Sequence, residues 1–283
     1  MDVVFAFDDR YAEQIPVVVE SLLRSAAGGG SISVWLVTTA TAKASMQDRV
    51  RRQVADRAGL RFLVADDRFR SLPTSARPAL AYISAGSNLR LLLPELLPET
   101  VRRYLYLDAD VLVEGDLQPL FGLGMGGAPI AAVRDRYNAT IGAQGGIPGS
   151  SPSLDAGTPY FNAGVLLVDR AEWTRRGITD RCVEYLECNR EALRFGDQDS
   201  LNVACAGAWL EVPNKWNYQG WRPDPGQVEV RPEDVRITHY LGRRKPWHPD
   251  FPLEAHRRRY AEMAEAAERV RRSAGRTRSA SGR

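Results

Sequence analysis

The stretch "YLYLDADVLV", residues 104–113, sets two carboxylates one residue apart inside an apolar run. An unpaired carboxylate is costly to bury in an apolar layer. The run therefore reads as a buried strand over 103–107, "RYLYL", that delivers Asp108 and Asp110 at its C-terminal end. Upstream, "VVFAF" (3–7), "ISVWLV" (32–37) and "LRFLVA" (60–65) read as further buried strands. Between them, residues 13–26, 41–58 and 87–97 read as helices, the first ending at the triple glycine 28–30. Strand–helix alternation of this length implies a parallel sheet with helices on its faces. In open sheets of that kind, ligands bind outside the carboxyl ends of the strands. Both aspartates are then placed for chemistry.

The second half is less regular. "PIAAV" (129–133), "NAGVLLVD" (162–169) and "VRITHY" (235–240) read as strands, and residues 171–194 and 197–206 as helices. A Gly-, Pro- and Ser-rich loop spans 138–160; loops of that length are lids, binding loops or disordered segments. Beyond Pro252 an Arg- and Glu-rich helix leads into "SAGRTRSASGR" (273–283), whose composition is that of a disordered tail. No internal repeat or linker divides the chain. One domain over 1–252 is expected, followed by a basic C-terminal helix and tail over 253–283.

The 283 residues are 44% hydrophobic and 26% charged, with a net charge of +3, the balance of a soluble globular protein. So small a charge gives no ground for nucleic-acid binding. Three cysteines without C-x-x-C spacing argue against a disulfide framework or a zinc site, and for free thiols in a reducing cytoplasm. "MDVVFAFDDR" lacks the basic start of a signal peptide and turns acidic by residue 8. No run of ~18 apolar residues is present to span a bilayer. A cytoplasmic protein is expected, with at most peripheral membrane contact through the basic C-terminus. Only three of the 38 basic residues are lysines (Lys43, Lys215, Lys245), a bias associated with GC-rich bacterial genomes.

Alternate residues of an extended chain share a face, so Asp108 and Asp110 can aim at one point. Two carboxylates that close repel unless a cation lies between them, and their oxygens suit hard ions such as Mg²⁺ or Mn²⁺. D-x-D on its own is equally a pair of capping or turn-forming aspartates. "HYLGRRKPW" (239–247) adds three groups to the metal reading. His239 joined to two carboxylates favours Mn²⁺ over Mg²⁺. Gly242 permits close backbone approach, and Lys245 can meet a diphosphate as a point cation. Taken singly, His239 reads as a structural histidine and Lys245 as a solvated lysine.

Six stretches, taken in order, resemble glycosyltransferase family 8, which includes glycogenin and the bacterial lipooligosaccharide galactosyltransferases. They are "FAFDDRYA" (5–12), "YLYLDADVLVEGDLQPLF" (104–121), "YFNAGVLLVD" (160–169), "DQDSLN" (197–202), "PNKWN" (213–217) and "HYLGRRKPW". The resemblance covers roughly residues 2–250. It implies an α/β GT-A fold, with a Rossmann-like nucleotide-binding half, a mixed central sheet and helices on both faces. It also implies a UDP-galactose or UDP-glucose donor, a divalent metal (Mn²⁺, or else Mg²⁺), and a glycan or small-molecule acceptor. A hexose would pass to an acceptor hydroxyl with retention, giving an α-glycoside.

Carried over by position, the resemblance gives the metal to Asp108, Asp110 and His239, with Ala109 between the acids against the donor. Asp8 would bind the uracil edge and Tyr11 would stack on the ring. Arg90, in "NLRLLL", would lie beside the sugar and diphosphate. Asp135, Asn162 and the run Asp197, Gln198 and Asp199 would surround the donor sugar, while Gly242 and Lys245 would hold the departing diphosphate. The catalytic set so implied is Gln198, Asp199 and Lys245. Arg10 stands where relatives often carry Asn, a departure close to the nucleotide. An amide such as Gln198 is a poor nucleophile, which favours departure and attack on one face of the sugar over a covalent intermediate.

Two rival functions make different demands. A nucleotidyltransferase on a related sheet should carry a Gly-rich phosphate loop after its first strand, where this chain has "DDRYAEQ". A non-catalytic sugar-nucleotide binder is expected to have lost a metal ligand or Lys245. "GLGMGGAP" (122–129) precedes a strand and so fails the context of a dinucleotide fingerprint. The aromatics of "PNKWNYQGW" (213–221) face either the core or an acceptor sugar, with the Pro- and Asn-rich composition favouring the acceptor.

Overall fold

The computed structural model describes residues 1–26, 30–39, 44–65, 71–75, 77–80, 83–220 and 233–280. Strands β1 (Asp2–Phe7), β2 (Ser33–Thr38) and β3 (Gly59–Val64) lie parallel. Helices α1 (Ile15–Ser25) and α2 (Ala44–Val54) fall between them in the chain. After α3 (Leu89–Leu96) the chain crosses back, and β4 (Arg103–Leu107) pairs in parallel with the other side of β1. β5 (Val111–Val113) leaves this sheet, and α4 (Gln118–Phe121) leads to β6 (Ile130–Arg134) and β7 (Phe161–Asp169). α5 (Arg170–Arg175), α6 (Ile178–Cys188) and α7 (Asp197–Ala204) precede the short β8 (Leu210–Glu211). Among the described residues the main sheet has the order β3-β2-β1-β4-β7-β6-β8, with β7 antiparallel to both β4 and β6. β9 (Ile237–His239) pairs antiparallel with β5 as a separate ribbon, and α8 (Glu254–Ala280) closes the described chain.

The apolar runs are continuous because both faces of the sheet are covered. Successive side chains go to opposite cores. Val4, Ala6, Tyr104 and Tyr106 enter one, while Val3, Phe5, Phe7, Leu105 and Leu107 enter the other. A third, smaller cluster of Val17, Leu112, Tyr240, Phe251 and Tyr260 joins α1, the ribbon and α8.

Three elements differ from the sequence reading. The helix expected over 171–194 is two, α5 and α6, separated at Gly177, whose φ of +58° favours a residue without Cβ. Asp169 caps α5 by accepting from the Glu172 amide at 3.2 Å. The helix expected over 41–58 is α2 followed by a single 3₁₀ turn at Ala55–Arg57, and residues 41–43 lie outside the described residues. α8 runs on through residues 273–280, where a tail is expected. Ion pairs one turn apart, Glu265 with Arg269 and Glu268 with Arg272, support its exposed face.

Candidate active site

The strand order reverses between β1 and β4, since β2 and β3 lie on one side of β1 and β4 on the other. A crevice at such a switch point, outside the carboxyl ends, is where this sheet architecture binds ligands. A cleft of about 310 Å³ opens there. Tyr11, Arg90, Asp108, Ala109, Asp110, Asp135, Asn162, Asp197, Gln198, His239, Gly242 and Lys245 all line it. Asp8 stands at its rim, accepting from the backbone amides of Arg10 (3.0 Å) and Gly86 (3.4 Å), and Gly86 is itself part of the wall. A Cβ at Gly86 would lie 2.8 Å from the Asp8 amide nitrogen, so the approach requires glycine.

The placement of two acids within "YLYLDADVLV" has a structural cause. β4 ends at Leu107, the ribbon starts at Val111, and Asp108–Asp110 is the break between them. The Asp108 amide still donates to the Gly164 carbonyl (2.8 Å), which holds the first acid at the sheet edge. In the ribbon Val111 pairs with His239, and the Tyr240 amide donates to the Asp110 carbonyl (3.0 Å). That register carries His239 to the aspartates. Its Nε2 lies 3.2 Å from Asp110 Oδ1 and 3.7 Å from Asp108 Oδ2. One ligand atom from each residue lies within 4.8 Å of the others. Two carboxylate oxygens and an imidazole nitrogen could hold a divalent metal ion, and a cation among them would relieve the repulsion between the two acids.

Gly164 makes that convergence possible. A Cβ there would stand 2.1 Å from His239 Cε1 and 2.8 Å from Asp108 Oδ2. The sequence offers one signal of it, a glycine in the middle of a nine-residue buried strand.

Cations flank both acids. Lys245 Nζ lies 2.5 Å from Asp110 Oδ2 and donates to the Tyr240 carbonyl at 2.6 Å. Burial works against the Asp110 charge, but Lys245 and His239 outweigh it and hold its pKa well below the usual carboxylate range. Arg90 Nη2 pairs with Asp108 Oδ1 (3.0 Å), its Nε lies 2.8 Å from Asp197 Oδ2, and its Nη1 donates to the Ala163 carbonyl (2.6 Å). Tyr106 donates its hydroxyl to Asp108 Oδ1 at 2.5 Å; burial above all pushes its pKa well up, so it stays a donor. Burial also raises the Asp197 carboxyl, against the pull of Arg90.

The opposite wall is an amide network. Gln198 Oε1 accepts from the Ala163 amide (3.0 Å) and from Asn162 Nδ2 (3.3 Å), while its Nε2 donates to Asp135 Oδ2 and the Tyr160 hydroxyl. Asp199 does not join the wall. It is fully buried behind it, accepting from the Tyr160 hydroxyl (2.8 Å) and the Phe195 amide (2.9 Å) and pairing with Arg194 (3.3 Å). Side chains of consecutive helix residues point about 100° apart, which separates Gln198 from Asp199.

The long loop contributes residues that composition alone does not mark. Asp135 Oδ1 accepts from the amides of Tyr137 and Asn138, turning the chain into the loop. Tyr137, Asn138 and Gln144 then line the cleft, with Ile141 and Ile147 buried beneath. Gln144 holds φ +52°, and its side chain donates to the Tyr137 carbonyl (3.0 Å). In "PNKWNYQGW", Trp216 and Tyr218 are buried in the protein and not turned to an acceptor, while Trp221 lies outside the described residues.

A family model described as glycosyl transferase family 8 matches residues 2–250. A lipopolysaccharide 1,2-glucosyltransferase of Escherichia coli (strain K12) is 30% identical over 184 residues, 60% of this chain and 52% of that protein. A lipopolysaccharide 1,3-galactosyltransferase of Salmonella typhimurium is 29% identical over 192 residues, 66% of this chain and 55% of that one. The chain thus spans about half the length of these two relatives. General stress protein A of Bacillus subtilis is 23% identical over 260 residues and is matched over 87% of both chains. Among solved structures, galactosyltransferase LgtC in complex with donor and acceptor sugar analogs matches with a TM-score of 0.76 at 27% identity. That match covers 94% of this chain and 96% of LgtC.

Proposed function

The chain belongs to glycosyl transferase family 8, and from that premise we propose a metal-dependent, retaining hexosyltransferase. It would move galactose or glucose from a UDP-sugar to the hydroxyl of a glycan or small-molecule acceptor and leave an α-glycoside. Its mixed α/β sheet is the GT-A fold shared with LgtC. One observation carries the reading: Asp108, Asp110 and His239 converge beside Lys245 at the switch-point cleft.

In this reading Asp108, Asp110 and His239 would hold Mn²⁺, and the ion when bound would supply charge neutralisation for the departing diphosphate. Lys245 and the backbone at Gly242, where φ is +87°, receive that diphosphate. Asp8 and Tyr11 take the uracil. Arg90, Asp135, Asn162, Asp197 and Gln198 orient the sugar. Gln198 Oε1 already accepts from two donors, which suits an orienting amide better than a nucleophile. We therefore favour a front-face route. The bond from the anomeric carbon to the phosphate oxygen breaks, and the acceptor oxygen bonds on the same face. The acceptor proton passes to the phosphate oxygen.

The test is UDP release from UDP-galactose and UDP-glucose with Mn²⁺, before and after chelation. Turnover that EDTA abolishes and Mn²⁺ restores better than Mg²⁺ is expected. Full activity after thorough chelation would remove the metal from the mechanism.

A further inference from the structure

Asn217 is fully buried behind the cleft and is part of no wall, yet its amide oxygen lies 3.0 Å from His239 Nδ1. We propose that Asn217 is a positioning residue that keeps the proton on His239 Nδ1, so that Nε2 is the nitrogen presented to a divalent metal. The inference rests on the metal reading above and assigns a task to a residue outside the ligand set.

The orientation of each amide follows from groups whose donor or acceptor character is fixed. The Gly164 backbone N–H can only donate, and it meets Asn162 Oδ1 at 3.0 Å. The Asp135 carboxyl group, which accepts from the Tyr137 and Asn138 amides, meets Asn162 Nδ2 at 3.1 Å. These two anchors leave Asn162 one orientation, with Oδ1 turned to Asn217. The Asn217 atom 2.9 Å from that oxygen must therefore be the donor, Nδ2. Its own Oδ1 is then left for His239 Nδ1, and an amide oxygen can only accept. The ring must donate from Nδ1.

The alternative placement fails on energy. With Nδ1 bare, two acceptor lone pairs would face each other in a site from which water is excluded, leaving a buried polar pair unsatisfied at about 1–3 kcal/mol. Asp110 Oδ1 and Asp108 Oδ2 lie on the Nε2 side of the ring, so a divalent cation held by the three residues would meet Nε2 while Nδ1 faces Asn217. Outer partners of this kind set the tautomer and ring direction of metal-bound histidine. The relay begins at Asp135, so one carboxylate serves both the sugar wall and the direction of the metal ligand.

The experiment reads the ring directly. The chain has only three histidines, His239, His248 and His256. Long-range proton–nitrogen correlation spectra of the ¹⁵N-labelled full chain, assigned with His239→Gln, resolve each ring nitrogen. The expected spectrum has His239 Nδ1 protonated in the metal-free chain and also with Cd²⁺, a diamagnetic probe, bound at Nε2. A bare Nδ1, or Cd²⁺ on Nδ1, would overturn the proposal without any variant.

Mn²⁺ binding followed by electron paramagnetic resonance supplies the second arm. Asn217→Leu should weaken it about 10–100-fold. Asn217→Asp, which retains an acceptor for Nδ1–H but loses the donor to Asn162 Oδ1, should bind Mn²⁺ more tightly than Asn217→Leu. Equal Mn²⁺ affinity in wild type and Asn217→Leu would also sink the proposal. Wild-type protein that binds no Mn²⁺ would instead refute the metal reading, while the metal-free ring spectrum would still decide the Nδ1 assignment.

Discussion

Asp110 stands between Lys245 at 2.5 Å and His239 at 3.2 Å. Its value as a metal ligand is therefore inseparable from its value as the counter-ion of a buried ammonium, since Lys245 is only 4% exposed. Asp110→Ala strands that ammonium, and removing one partner of a buried pair costs about 3–5 kcal/mol. The loss should be seen in the denaturation midpoint as well as in turnover. Asp110→Ala combined with Lys245→Met removes the stranded charge, and most of the lost stability should return while activity stays absent. Equal instability of the single and double variants would mean that a stranded charge is not what destabilises Asp110→Ala. Lys245→Ala alone should depress kcat more than it raises the donor KM, because charge on the diphosphate grows towards the transition state.

The joint between α1 and α2 shows the same logic away from the cleft. Glu20 on α1 is 1% exposed and meets Arg24 (2.8 Å), Arg57 (2.8 Å) and Gln53 (3.1 Å). Burial acts to raise its pKa, but the hydrogen bonds from Arg57, Arg24 and Gln53 outweigh burial and hold it below the usual glutamate value. A depressed acid stabilises the fold above its unfolded pKa of about 4.3, and that stability is lost as pH falls through the folded value. Glu20→Gln should thus cost about 1–3 kcal/mol at neutral pH, and the gap to wild type should close in acid. A gap unchanged between neutral pH and pH ~3 would refute it. The strands that frame the cleft were legible because β1, β4 and β7 are buried on both faces and so read as unbroken apolar runs. The ribbon register was not. β5 and β9 have three residues each, too few for a period, and join positions 111 and 239 across the chain. The metal-ligating candidates were legible as residue types and motifs, whereas Asn217 and Gly164 emerge only from what their neighbours require.

At the scale of the molecule the cleft is a meeting point of segments far apart in sequence. The β4 end supplies Asp108, the ribbon His239, β7 Asn162, α7 Gln198, and the segment after β9 Lys245. The ribbon also reaches α8, through Tyr240 stacked edge-on against Phe251 and Tyr260. An ion bound by Asp108, Asp110 and His239 would therefore bridge sheet and ribbon, and its binding free energy would add to the stability of the whole. Free Mn²⁺ at a hundred times its Kd should stabilise the fold by about 2.7 kcal/mol. For a chain of this size that is a rise in Tm of roughly 4–5 °C. His239→Gln should lose most of the shift, because it removes the ribbon's side of the bridge and leaves the sheet's. UDP added with Mn²⁺ should raise Tm further, since the diphosphate would engage Lys245 beyond β9. Differential scanning calorimetry in chelated and Mn²⁺-loaded buffer measures both increments. A wild-type Tm that does not move at saturating, independently measured Mn²⁺ binding would mean that the unfolded chain holds the ion as tightly as the folded one, and the bridge between sheet and ribbon would have to be given up.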